Sequence, residues 1–203
     1  MLIDNIDTQQ TENEKMITDT DNIQNYSYAK NQEFREIVDF YLLKCPVRVY
    51  TRVKKSKEER ENSDSLGSPK YDYYFSKVSK QGITFEDRGL DGPRLNSFRS
   101  AMKKVAATDI ILQAVDSVAQ PDTKNEYIVI KRNDGKVSVT EGYFYCIRNA
   151  LAHGRFYIDE NKTYWIENYC GKSLRGVGKV KEETLLAWIE LFNLDYEIIR
   201  TIR

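Results

Sequence analysis

Stretches of apolar side chains at helical spacing constrain the fold of this chain more than any other feature. Leu95, Phe98, Met102, Val105, Leu112, Val115 and Ala119 form one stripe; Phe144, Ile147 and Leu151 form a second; Leu185, Trp188, Ile189, Phe192, Tyr196 and Ile199 form a third. Side chains three and four apart share a helix face, so helices are expected over 94–119, 139–153 and 182–202. Phe34, Ile37, Val38 and Tyr41 repeat the pattern over 28–44, and Pro46 ends it. The punctuation agrees. Asp91-Gly92-Pro93 suits a helix start, Ser138 and Glu141 have capping-box spacing, and Gly154 follows the second stripe where left-handed backbone often closes a helix.

Shorter segments alternate as strands do. Residues 47–53, 71–78 and 83–86 are expected to form a small sheet, with the charged, breaker-rich run 54–69 as a loop. Residues 126–131 and 136–139 flank Asn133-Asp134-Gly135 and read as a hairpin; 155–158 and 163–168 read as a second hairpin. Residues 171–181 read as a glycine-containing basic linker. The expected fold is mainly α, a bundle of four main helices with short β-hairpin insertions.

Composition narrows the function classes. The chain has 203 residues, enough for one core that needs no staples. No run of eighteen apolar residues is present, so no transmembrane helix is expected, and the polar, acidic start MLIDNIDTQQ argues against a secretory signal. Three cysteines (Cys45, Cys146 and Cys170) fit reduced thiols in a cytoplasmic protein. With no CxxC pair and no Cys/His cluster, no metal and no cofactor is expected. Residues 1–27 carry a net charge of −5 and few large apolar groups, which reads as a disordered acidic tail. The remaining residues carry +5. That balance fits a polyanionic partner, and it equally fits a tail that only solubilises.

The segment with chemistry is Tyr143–Gly154. Phe144, Ile147 and Leu151 belong to the core face, while Arg148, Asn149 and His153 are polar groups beside it. Asn149 and His153 are neighbours on the helix surface, and Arg148 is long enough to reach the same cleft. A planar guanidinium suits a phosphate, and an imidazole accepts and donates protons near neutral pH. Without metal ligands, this set suits cleavage of a phosphodiester that carries its own nucleophile, as RNA does in its 2′-hydroxyl. Residue by residue the plainer alternative stands beside it: a histidine near a helix end is more often a cap or a packing group.

Arg148-Asn149, three residues, then His153 on a late helix resembles the motif of the HEPN domain family, in which an arginine, four to six residues and a histidine recur, often with a polar residue after the arginine. The resemblance maps onto 28–44 and 94–203. It implies a HEPN-like bundle over 28–203 with 46–90 as a β-containing insertion. It implies a metal-independent endoribonuclease, acting as a toxin or a defence effector, whose homodimer joins two motifs in one site. His153 would be the acid/base, Arg148 would neutralise the phosphate, and Asn149 would orient one of them. A regulatory protein or antitoxin would then be another chain. The alternative is a non-catalytic HEPN-like module that binds RNA, a nucleotide or a protein, such as an antagonist carried by a mobile element.

Weaker signals lie nearby. Lys172, Arg175, Lys179 and Lys181 form a basic run with no acid, suited to an RNA backbone, and Tyr157 is an aromatic near the motif on which a base can stack. Each also fits a solvated or packing role. Residues 52–60 are a basic-then-acidic run whose plainer reading is a solvated loop. Gly176 and Gly178 lack the rest of a nucleotide-binding fingerprint and carry no such weight.

Overall fold

A computed structural model of the chain describes residues 31–47, 50–54, 73–77, 83–132 and 137–202. The expected acidic tail at 1–27 and the loop 55–69 lie outside the described residues. Helix α1 (Gln32–Val38) runs into a π-helical turn (Asp39–Leu43) and is capped by the Asn31 side chain, which accepts from the Phe34 amide at 2.7 Å. Strands β1 (Tyr50–Lys54) and β2 (Tyr73–Lys77) form an antiparallel pair. Next come α2 (Gly92–Val105), β3 (Ile110–Val115), β4 (Glu126–Lys131), α3 (Val139–Ala152), β5 (Phe156–Ile158), β6 (Thr163–Cys170), β7 (Ser173–Lys181), α4 (Glu182–Asn193) and the single turn α5 (Tyr196–Ile199).

The expected mainly α, HEPN-like bundle is overturned. Strands β3-β4-β7-β6-β5, in that order, form a five-stranded mixed sheet, and the fold is α/β. Three misread segments account for this. The stripe assigned to one helix over 94–119 splits, because α2 ends at Val105 and Ile110–Val115 pairs with β4 in parallel. Ile110 and Leu112 are buried and Ile111 is less so, a period of two where a period of 3.6 had been read. Thr108 fixes the break, since its amide and hydroxyl both donate to the buried Glu126 carboxylate at 3.1 and 2.8 Å. The basic linker at 171–181 is strand β7, which sits centrally between β4 and β6. Residues 137 and 138 are not a strand, and β4 pairs with β3 and β7 instead of with a hairpin partner there. Residues 83–86 lie in an irregular turn segment, and the last helix stops at Asn193 before the separate turn α5.

One face of the sheet carries the core. Ile110, Leu112, Ile128, Ile130, Tyr164, Ile166 and Val180 pack there with side chains from the helices. Phe85, Phe98, Phe144 and Phe192 form an edge-to-face aromatic nest at its centre, with Phe85 5.3, 5.1 and 5.1 Å from the other three rings. Each ring contributes roughly 1.5–3 kcal/mol by leaving water, and the crossed geometry adds to it. On the opposite face Tyr127, Val129 and Val177 form a smaller cluster with Val118, from the 116–125 connection between β3 and β4. Helix α3 begins with the full capping box: Glu141 N–H donates to Ser138 Oγ, and Ser138 N–H donates to Glu141 Oε2.

Candidate functional site: a two-arginine pocket beside helix α3

Helix α3 crosses one transverse row of the sheet. Ile130, Gly176 and Asn168 are register partners on β4, β7 and β6. Gly142, Cys146 and Asn149 of α3 lie over them in turn. Helical steps of four and three residues advance about 6 and 4.5 Å, close to the spacing of neighbouring strands. The approach demands small residues. A Cβ on Gly142 would stand 2.5 Å from Ile130 Cδ1, and one on Gly176 would stand 2.5 Å from Cys146 Sγ. Gly176 therefore serves helix–sheet packing. On Gly178 a Cβ would meet Ile166 at 2.7 Å.

The flank of α3 beside this seam carries Tyr145, Arg148, Asn149 and His153. Across from it stand Asn168, Tyr169 and Cys170 of β6 and Arg175 of β7. Together with Ile130, Lys131 and Gly142 they line a cavity of about 460 Å³, and no carboxylate is among its described lining residues. Regular alternation would send Asn168 and Tyr169 to opposite faces. The register shifts between them, a bulge that re-aims side chains and brings consecutive residues into one pocket.

Electrostatics sets this pocket apart. Arg148 Nη1 donates to Asn149 Oδ1 at 3.0 Å, and Asn149 Nδ2 donates to Asn168 Oδ1 at 3.3 Å. The Nε atoms of Arg148 and Arg175 are both buried without a hydrogen-bond partner among the described residues, and no other described side-chain N or O shares that condition. An unmatched buried donor costs about 1–3 kcal/mol, more when charged. Arg148 is also felt by Cys45: burial pushes that thiol up to about 11, while the Val47 backbone and the Arg148 charge pull the other way. His153 is the C-cap of α3; its backbone N–H donates to Asn149 O at 3.1 Å, and its exposed side chain lines the cavity. Gly154 follows with φ +63°.

The structure thus brings together Arg148, Asn149, His153 and Arg175. It separates them from the other expected contacts. Lys172 is exposed in the β6–β7 turn and is not part of the lining. Lys179 lies on the opposite sheet face, with Nζ donating to Lys124 O at 3.0 Å and sitting 5.2 Å from the Trp165 ring centroid. Tyr157 stacks on Trp165 on that same face, with centroids 5.8 Å apart. The Lys181 amide donates to Glu126. Asn168, Tyr169, Cys170 and Lys131 escaped the sequence reading. A signal existed for Asn168: it continues the inward positions Tyr164 and Ile166, and a polar residue at an inward position marks a polar neighbour.

Comparison with protein-family models, curated proteins and solved structures finds no match. Among the described residues, no helix is long and apolar enough to cross a membrane.

Proposed function

We propose that the chain binds RNA phosphates in the Arg148/Arg175 pocket and cleaves the strand there without a metal, with His153 moving protons. The observation that carries this reading is the pair of buried guanidinium Nε–H groups that lack partners among the described residues, in a cavity whose described lining includes Lys131 and no carboxylate. A phosphodiester supplies the acceptors they lack, and the bonds it makes are charge-assisted. An exposed imidazole beside that anion accepts the 2′-hydroxyl proton and returns one to the leaving oxygen. The chemistry implied by the HEPN resemblance is kept here and rests on the pocket, since the bundle it implied is overturned. One copy carries one histidine, so a homodimer that brings two pockets together would provide a separate acid and base. The setting is the cytoplasm, where three unpaired cysteines stay reduced.

The test is cleavage of single-stranded RNA in excess EDTA by the wild type and by His153→Ala. The expected result is cutting that survives the chelator, leaves 2′,3′-cyclic phosphate ends and falls at least about a hundredfold in the variant. Restoration only by added magnesium or zinc would sink it. One observation favours a binding module as the second reading: Asn149 is engaged by Arg148 and Asn168, and no described side chain hydrogen-bonds to the His153 ring. On that reading the wild type binds RNA, never cuts it, and matches His153→Ala throughout.

A further inference from the structure

Asn168 has no role in the cleavage reading above, yet its surroundings leave its two amide donors without an acceptor among the described residues. Arginine offers five N–H donors and no acceptor. Asn149 must therefore turn Oδ1 toward Arg148 Nη1, which commits its Nδ2 to the other side. That group meets Asn168 Oδ1 at 3.3 Å. The acceptor of Asn168 is thereby engaged, and its Nδ2 amide, with two donors, is left. Asn168 is only 7% exposed; no described group accepts from its Nδ2, which is not one of the fully buried unmatched atoms and so keeps some access to solvent; and the residue lines the same cavity as Arg148 and Arg175. The bulge at Asn168/Tyr169 is what holds it there.

We propose that Asn168 is a ligand-binding residue of this pocket, its Nδ2 donating to a non-bridging oxygen of the bound phosphate, and that Asn149 is the positioning residue that sets its orientation. The inference rests on the phosphate-binding reading and deepens it. The chain Arg148 to Asn149 to Asn168 passes polarity in one direction, so the charge of Arg148 reinforces the Asn168 donor. A neutral donor beside two cations gives the anion a directional contact and adds no charge.

The probe is a short, fluorescently labelled 2′-O-methyl oligoribonucleotide, which has phosphates but no internal nucleophile. Its affinity is read by anisotropy at several salt concentrations. A lost hydrogen bond to a charged group weakens binding about ten- to a hundredfold, and Asn168→Ala should do so without altering the salt slope, because no charge is removed. Arg175→Ala should weaken binding and reduce the slope by about 0.7, one phosphate contact on a single strand. Asn149→Ala, at a half-buried helix position that tolerates alanine, should weaken binding less, again with the slope intact. If Asn168→Ala binds like the wild type while Arg175→Ala does not, the Asn168 inference fails and the pocket reading stands. If Asn168→Ala lowers the slope, its role is only to support the arginines, and donation is overturned. If Asn168→Ala does not fold, Asn149→Ala decides, and unchanged affinity there overturns the proposal. A wild type that does not bind the probe overturns both readings.

Discussion

The two flanks of helix α3 share fourteen residues of backbone and differ in how their polar groups are met. On the core side, burial is accompanied by satisfaction. Tyr41 donates to Leu185 O at 2.9 Å, Trp188 Nε1 donates to Met102 O at 2.9 Å, and the Glu126 carboxylate accepts from Thr108, Thr184 and Lys181. On the pocket side, two guanidinium Nε atoms are buried with nothing described to receive them. A folded chain gains by pairing every buried polar group. In the function proposed above, the flank that fails to do so is the one prepared for a phosphate from outside.

The contrast breaks first in stability. Phe144 sits in the aromatic nest, and Phe144→Ala should cost about 3–5 kcal/mol by denaturant unfolding. A loss under about 1 kcal/mol would mean that the core flank does not hold α3 in place. The seam between the flanks comes next. Gly176→Ala drives a methyl into Cys146 Sγ, at a cost of about 1–3 kcal/mol. The double variant Gly176→Ala/Cys146→Ala should regain most of it, and an unrelieved loss would place the strain elsewhere.

Alkali sharpens the comparison further. Burial pushes Cys146 and Tyr143 up to about 12, and Cys45 up to about 11. Their unfolded forms lose protons from about pH 9 for the thiols and about pH 10 for the phenol. Above those values the unfolded chain binds fewer protons than the native one, so stability is intact below pH 9 and falls as pH rises toward 12. Each group contributes a slope of up to about 1.4 kcal/mol per pH unit. Cys146→Ala should make the alkaline decline shallower in pH-dependent unfolding, and an unchanged profile would contradict the assignment. The smallest effect is expected on the pocket flank. Arg175→Met removes a buried Nε donor with no partner among the described residues, and its unfolding free energy should match the wild type or exceed it by up to about 1 kcal/mol. A loss of several kcal/mol would show that Arg175 is a structural member of the fold.

These regions were unequally legible in the sequence. Helix α3 was, because its signals are local: Ser138 and Glu141 are three apart, and Phe144, Ile147 and Leu151 repeat on one face. Strand β7 was not. Gly176 and Gly178 looked like linker residues, yet they are small because Cys146 and Ile166 press against them, a tertiary demand invisible in neighbouring letters. Strand β3 failed for a different reason: Leu112 and Val115 satisfy helical spacing while Ile110 and Leu112 satisfy a period of two, and a short apolar run does not choose between them. Within the pocket, Arg148, Asn149 and His153 were found together because they lie within two turns of one helix. Asn168 lies 19 residues from Asn149 and reaches it only through the sheet.

The most direct measurement follows the two buried Nε–H groups themselves. In a ¹⁵N–¹H spectrum of the full chain, the arginine Nε–H signals of Arg148 and Arg175 are assigned by their loss in Arg148→Lys and Arg175→Lys. The short 2′-O-methyl oligoribonucleotide is then titrated in. A phosphate that completes these donors should move both signals along one saturable curve with a common midpoint. Two signals that stay still while the oligonucleotide shifts resonances elsewhere would contradict the account, because the groups left unmatched by the fold would not be the ones the ligand meets.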